Sequence, residues 1–407
     1  MKQRLVVIGN GMAGMRTVEE LLTAAPDKYD ITVFGAEPYG NYNRIMLSSV
    51  LCGEKTIEDI VINNRQWYVD NGITLHAGED KSVARIDRKN KKVYAQDGTV
   101  AGYDRLLIAT GSKAVVPTIP GNDLEGVISF RDIVDVNKML AYSRSHNKAV
   151  VLGGGLLGLE AANGLVSRGM DVTVVHSNEI LLNRQMDRSA AKMLQTELEQ
   201  RGLKFKMAAK LKQLSGDEKG HVTAVSFEDG SRLECDLFVT AIGVRPNIEL
   251  AQQAGIYCER GIVVNDTLQS YDPSIYAVGE CIQHRGATFG LVAPLFEQAK
   301  VCANHLSAHG AAEYITLPTA TKLKVTGINL FSIGDFLGDD NCESIHFTDP
   351  ASGIYKKLVI KANKLIGAVL YGDTADGGWY QELLEKEDTI TGIRDVLIFG
   401  KVYATSA

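Results

Sequence analysis

An α/β fold, with two parallel-sheet domains and a small C-terminal α+β domain, is predicted by three observations. Gly9-Asn10-Gly11-Met12-Ala13-Gly14 and Gly153-Gly154-Gly155-Leu156-Leu157-Gly158 repeat one glycine spacing. Each follows an apolar, strand-like run and opens a helix-like stretch. Two later runs, residues 103–111 and 237–243, read as strands ending in small-residue turns that close each unit. Strand, glycine turn and helix in that order form the phosphate-binding start of a Rossmann-like dinucleotide-binding domain. The chain therefore reads as two such domains, and the pair suggests FAD fed by NADH or NADPH.

In the first unit Leu5-Val6-Val7-Ile8 is the buried strand, the glycines permit close approach of backbone to a pyrophosphate, and residues 15–24 form the helix facing that anion. Ile31-Thr32-Val33-Phe34 is the next strand, and Glu37 follows it. That acid sits near the roughly 20-residue offset at which a carboxylate meets ribose hydroxyls. The second unit repeats the plan with residues 148–152, 159–167 and 172–175. There His176 stands where an acid is expected, which leaves NADH and NADPH both open. Arg184, the nearest downstream cation, reads as an ordinary arginine on a surface helix.

The domain plan is residues 1–115 for the first part of the FAD domain, 116–245 for the NAD(P)H domain, 246–315 for the second part of the FAD domain, and 316–407 for the α+β domain. Residues 274–280 read as a return strand of the first domain, residues 356–360 and 365–371 as C-terminal strands, and residues 379–385 as a closing helix. The chain has 407 residues, 45% of them hydrophobic, with 40 glycines, which suits two or three α/β domains. A net charge of −6 speaks against nucleic acid or an anionic membrane as main partner. The basic run at residues 85–92 reads as a solvated hairpin face. No apolar run reaches membrane-spanning length and no targeting segment is visible, so a cytoplasmic protein is expected. Cys52, Cys235, Cys258, Cys281, Cys302 and Cys342 show no paired spacing, so neither a redox disulfide nor a metal site is expected.

These elements resemble the two-dinucleotide-domain flavoprotein superfamily of glutathione reductase, ferredoxin and rubredoxin reductases and NADH oxidases, over essentially the whole chain. The resemblance implies FAD contacts from Gly9, Gly11, Ala13, Gly14, Glu37, Arg44, Val83, Ala109, Thr110, Gly111, Arg131, Gly279, Glu280 and Pro294. It implies NAD(P)H contacts from Gly153, Gly155, Leu157, Gly158, Glu160, His176 and Gly243, with Glu160 near the nicotinamide carboxamide. The segment Tyr42-Asn43-Arg44-Ile45-Met46-Leu47-Ser48-Ser49 corresponds to the stretch facing the flavin. Ser49 there stands where NADH oxidases and peroxidases carry a redox cysteine, so thiol-based peroxide or disulfide chemistry is disfavoured. Arg44 and Ser49 are the flavin-facing candidates, and no catalytic acid or nucleophile is required.

A narrower resemblance rests on Tyr42 to Ser49, on Gly290-Leu291-Val292-Ala293-Pro294, on Thr321-Lys322-Leu323-Lys324-Val325-Thr326-Gly327, and on Gly334-Asp335-Phe336. It is to the N-terminal flavoprotein portion of the assimilatory NAD(P)H nitrite reductase large subunit and the related nitrate-assimilation electron-transfer subunit. The implied activity is hydride transfer from nicotinamide to flavin and onward electron transfer to an iron-sulfur or rubredoxin-like acceptor. The alternatives are a free-standing NADH:rubredoxin or ferredoxin reductase, or a non-catalytic flavoprotein scaffold or redox sensor.

Overall fold

The computed structural model describes residues 2–316, 320–325 and 327–404, the side chains of 322–325 excepted. Thr326 of the C-terminal motif lies outside the described residues. The chain gathers into two compact units: Met1–Leu47 with Lys55–Lys113 and Val244–Thr316, and Ser48–Glu54 with Ala114–Gly243 and Leu317–Ala407.

The first unit is built on a five-stranded sheet in the order Ile275–Ala277, Arg105–Ile108, Gln3–Ile8, Tyr29–Gly35, Thr74–Ala77. All neighbours run parallel, with Leu5 opposite Ile31 on one side and Arg105 on the other. Leu5, Val6 and Val7 are fully buried, which explains an uninterrupted apolar run instead of alternation: a central parallel strand is covered on both faces. Helices Met12–Ala24 and Val292–Leu306 pack against each other. The basic run forms the expected hairpin, Val83–Asp87 with Lys92–Ala95. Arg88 departs from a solvated face, because its guanidinium bonds Asp272 at 2.9 Å and the Gly255 carbonyl at 3.2 Å, pinning the two sequence-distant parts of the unit.

The second unit contains a matching parallel sheet, Val127–Ser129, Leu237–Thr240, Lys148–Leu152, Asp171–Val175, Lys204–Lys206. Its C-terminal part is a five-stranded antiparallel sheet in the order Thr321–Val325, Ile328–Gly334, Lys364–Tyr371, Ile354–Lys361, Glu343–Asp349, with helix Gly377–Lys386. The Tyr355 hydroxyl donates to buried Asp187 at 2.5 Å. Asp187 is also the N-cap of helix Arg188–Gln200, accepting the Ala190 N–H at 3.0 Å.

Two sequence expectations are corrected here. Ser48–Glu54 groups with the second unit, although it falls inside the span 1–115. The reason is local: Gly164 has no side chain, so Leu51 packs where a Cβ would lie 2.7 Å from its Cγ, and Arg168 donates to the carbonyls of Leu51 at 2.6 Å and Val50 at 3.2 Å. Arg184 lies in the turn at residues 181–185, because the Asp187 cap starts the helix only at Arg188.

Candidate functional site

The two glycine loops solve one steric problem in the same way. Gly9 has φ +116° and Gly153 has φ +129°, a region that disfavours any side chain, and a Cβ on either would overlap the carbonyl of Ala109 or Ala241, just past the neighbouring strands Arg105–Ile108 and Leu237–Thr240. That contact locks each loop to its sheet and gives Ala109 its place beside Thr110 and Gly111. Gly14 and Gly158 bring the helix down onto the loop: a Cβ on Gly14 would lie 2.8 Å from the Gly9 carbonyl oxygen, and one on Gly158 would overlap that of Gly153.

The middle glycines are different. Gly11 (φ −88°, ψ 179°) and Gly155 (φ −86°, ψ 179°) have ordinary extended backbone, and a Cβ on either meets no atom within 4 Å beyond its chain neighbours. Both are helix N-caps without a side-chain cap bond. First-turn N–H groups at such an end lack intrahelical acceptors and carry the positive end of the helix dipole. Together these features fit a pyrophosphate against each helix start.

Around the first loop, Glu37 accepts from the Tyr42 hydroxyl at 2.6 Å and forms an ion pair with Arg44, whose guanidinium also lies 4.8 Å from the Tyr42 ring centre. Ala13 faces Gly279 (φ +96°), where a Cβ would sit 3.0 Å from that of Ala13. The Gly279 N–H donates to buried Gln298 at 2.9 Å, and the Ser112 hydroxyl donates to Glu280 at 2.6 Å. Thr110 donates its hydroxyl to the Asn247 carbonyl at 2.7 Å, while the Gly111 carbonyl accepts from the Asn247 N–H at 2.9 Å. Pro294 lies in the first turn of helix Val292–Leu306, where the missing N–H costs nothing. Val83 packs against the apolar core of this unit.

Around the second loop, Leu157 is 36% exposed on the first turn of helix Leu156–Ser167, and Gly243 (φ +114°) accepts the Val115 N–H at 2.9 Å. Glu160 hydrogen-bonds Ser48, and burial outweighs that bond to push its carboxyl up to about 7. The sequence offered no sign of Ser48 as its partner. Cys52, on the same short helix as Ser48 and Ser49, lies 3.7 Å from the Asn163 amide nitrogen, and burial pushes its thiol up. All six cysteines are free thiols. Ser49 accepts the Glu54 N–H on its carbonyl at 2.9 Å, and the Arg131 N–H donates to Asp135 at 2.9 Å. Ser49 and Arg131 both lie in the second unit.

Sequence reasoning also missed three supporting residues. Asn10, inside the first loop, accepts from the buried Tyr68 hydroxyl at 2.6 Å and donates to the Tyr39 carbonyl at 3.1 Å. Tyr68 gave no sequence signal. Gln298 did, as a polar residue on the apolar stripe shared with Leu295, Ala299 and Cys302.

Comparison with known proteins agrees with this geometry. Residues 3–305 match the pyridine nucleotide-disulphide oxidoreductase model, and residues 319–388 match the rubredoxin NAD+ reductase C-terminal domain. Among curated relatives, the Bacillus subtilis nitrite reductase [NAD(P)H] is 46% identical over 96% of this chain and 48% of its own length. The assimilatory nitrate reductase electron transfer subunit of the same organism is 45% identical over 98% of this chain and 51% of its own. This chain thus spans about half the length of both. The solved NADH:rubredoxin oxidoreductase of Clostridium acetobutylicum superposes with a TM-score of 0.80 at 25% identity, over 98% of this chain and 99% of that one. The resemblance read from the Tyr42 to Ser49 and C-terminal motifs is borne out by these identities, and the chain belongs to the pyridine nucleotide-disulphide oxidoreductase family.

Proposed function

We propose that this chain is an FAD-dependent NAD(P)H oxidoreductase that passes electrons to an iron-sulfur acceptor in nitrite or nitrate assimilation. The observation that carries the reading is the twin loop geometry, with Gly11 and Gly155 open to a ligand beside uncapped helix starts while their neighbours are packed tight. We assign FAD to the first loop, with Glu37 and Arg44 at the ribose end, Ala109-Thr110-Gly111 beside the pyrophosphate, and Gly279 and Glu280 at the ribityl chain. Val83, Arg131 and Pro294 complete that assignment. NAD(P)H goes to the second loop, bounded by Leu157, Gly158, Glu160, His176 and Gly243.

Bound FAD would supply the means to take two electrons from a nicotinamide and release them singly. The chain's part is to bind and orient. Loop N–H groups hold the phosphates, the Arg44 cation balances Glu37, and Glu160 carries an exchangeable proton beside the coenzyme cradle. Ser49 offers a hydroxyl where a thiol would be needed for disulfide chemistry, so the reading excludes that route. We assign the acceptor to an iron-sulfur or rubredoxin-like partner, as a further domain or a separate subunit, a reading supported by relatives named as an electron transfer subunit and as a rubredoxin oxidoreductase. The free thiols fit a reducing, cytoplasmic setting.

A second reading, a free-standing rubredoxin reductase, is favoured by the C-terminal domain match at residues 319–388 and by the end-to-end likeness to the clostridial rubredoxin enzyme. Anaerobic titration of the flavin-loaded protein with NADH tests the shared core: the flavin absorbance should bleach, and an unbleached flavin refutes both readings. Turnover with a [2Fe-2S] fragment above that with rubredoxin supports the first. The reverse ranking supports the second.

A further inference from the structure

Asn10 sits between the first two glycines of the first loop, where the second loop has Gly154. Its amide is held at both ends: Oδ1 accepts the Tyr68 hydroxyl at 2.6 Å, and Nδ2 donates to the Tyr39 carbonyl at 3.1 Å. Gly35 makes the room, since a Cβ there would lie 2.8 Å from that of Asn10. Tyr68, on helix Arg65–Asp70, is 1% exposed, and its oxygen also accepts the Asn41 N–H at 3.1 Å. Burial pushes the phenol up to about 12, so it remains a donor at neutral pH.

The chain of bonds then runs back to where it began. The buried Asn41 amide donates to Asn63 at 2.8 Å, and the Asn63 amide donates to Glu19 at 2.9 Å. Glu19 lies on helix Met12–Ala24, the helix that the loop opens. Asn10, Tyr68, Asn41, Asn63 and Glu19 thus close a ring through the backbone between loop and helix. Asn41 is followed by Tyr42, whose hydroxyl meets Glu37, so one polar network underlies both the phosphate loop and the acid assigned to the ribose. Removing the Tyr68 hydroxyl would leave the Asn10 oxygen and the Asn41 N–H without their bonds.

Resting on the reading of the first loop as the FAD site, we propose that Tyr68 is a positioning residue for FAD. Its hydroxyl sets Asn10, and with it the loop amides, in the pose that receives the pyrophosphate before the flavin arrives. Binding then loses little loop entropy.

The test is flavin fluorescence titration of the folded apoprotein, with a thermal scan of each sample. Tyr68→Phe should raise the FAD Kd about tenfold or more, because a loop freed of its anchor must order on binding. Asn10→Ala should do the same, and the double variant should lose no more than about threefold beyond either single change, since both remove one bond. Tyr29→Phe is the control, because that buried hydroxyl in the same unit bonds the Leu306 carbonyl at 2.8 Å instead of the loop. It should lower Tm and leave the FAD Kd within about threefold of wild type. With ferricyanide as acceptor and FAD saturating, kcat for NADH oxidation by Tyr68→Phe should stay within about twofold of wild type, while the FAD needed for half-maximal rate rises with the Kd. An FAD Kd within about threefold of wild type in folded Tyr68→Phe, additive losses in the double variant, an equal loss in Tyr29→Phe, or a kcat that falls with the affinity would each overturn the proposal. If Tyr68→Phe does not fold, Asn10→Ala decides alone by the same threshold. Failure of the wild-type apoprotein to bind FAD would instead overturn the FAD reading, and the inference with it.

Discussion

Gly11→Ala separates binding from folding more cleanly than any other change in the first loop. Gly11 has φ −88° and ψ 179°, which alanine adopts without strain, and its added methyl would meet no atom within 4 Å beyond the chain neighbours. Alanine is a poorer N-cap than glycine, but it also lowers the entropy of the unfolded chain, and the two effects oppose each other within about 1 kcal/mol. In a unit of this size that corresponds to about 2–4 °C in Tm. Against a pyrophosphate the same methyl is intolerable, because the backbone approach it blocks is what allows N–H groups to reach phosphate oxygens. Each hydrogen bond to a charged acceptor contributes about 1.5–3 kcal/mol. Losing two weakens FAD by about 3–6 kcal/mol, or roughly 10²- to 10⁴-fold. Flavin fluorescence titration of the apoprotein gives the Kd, and a thermal scan of the same sample gives Tm. Gly155→Ala is the internal control, since it should spare FAD and lower kcat/KM for NADH. An FAD Kd within threefold of wild type in a folded Gly11→Ala protein, or equal loss of FAD in both variants, would refute the assignment of the loops.

Three further outcomes follow from contacts within the second unit. Glu160 sits at about 7 against an ordinary value near 4.3, so the folded state binds the extra proton between those values and stability falls as pH rises through that window. Glu160→Gln should therefore match wild type near pH 4.5 and exceed it at pH 8, by on the order of 1–2 kcal/mol; a Tm difference independent of pH would contradict this. Arg168→Ala removes the donors to the Val50 and Leu51 carbonyls and should increase hydrogen exchange across residues 48–54, with a stability loss of about 1–3 kcal/mol; unchanged protection there would count against the tether. Tyr355→Phe leaves Asp187 without its 2.5 Å partner and should cost about 1–3 kcal/mol, less in an Asp187→Asn background, as a double-mutant cycle of denaturation midpoints would show.

Legibility in this sequence tracked how local the physics was. The loops could be read because a glycine that must adopt φ above +100° beside a carbonyl leaves a fixed spacing, and both loops obey it at Gly9 and Gly153. The central strands could be read because burial on both faces demands apolar runs such as residues 5–8. The C-terminal sheet could be placed only in outline, since antiparallel register depends on partners scattered over residues 321–371. What stayed hidden was every contact made by residues far apart in the chain: Arg168 with Val50 and Leu51, Glu160 with Ser48, Arg88 with Asp272, Tyr355 with Asp187. None of these pairings belongs to a recurring pattern, and each showed only once its partner came within reach.

The same division applies to His176. Read by position alone, it is a substituted ribose ligand, and its charge is the question. Its real partner is Gly154, a loop residue on the preceding turn whose lack of a side chain makes room for the ring. Glycine at 154 and histidine at 176 are thus one feature: a side chain at 154 would expel the imidazole, and an acid at 176 would have to face outward. A Gly154→Ala variant should accordingly lower the loop's stability and, by turning the 176 side chain out, alter coenzyme binding, whereas an independent Gly154 would change stability alone. Calorimetry with 2′,5′-ADP on that variant distinguishes the two, and an unaltered Kd would show that ring and loop are not coupled.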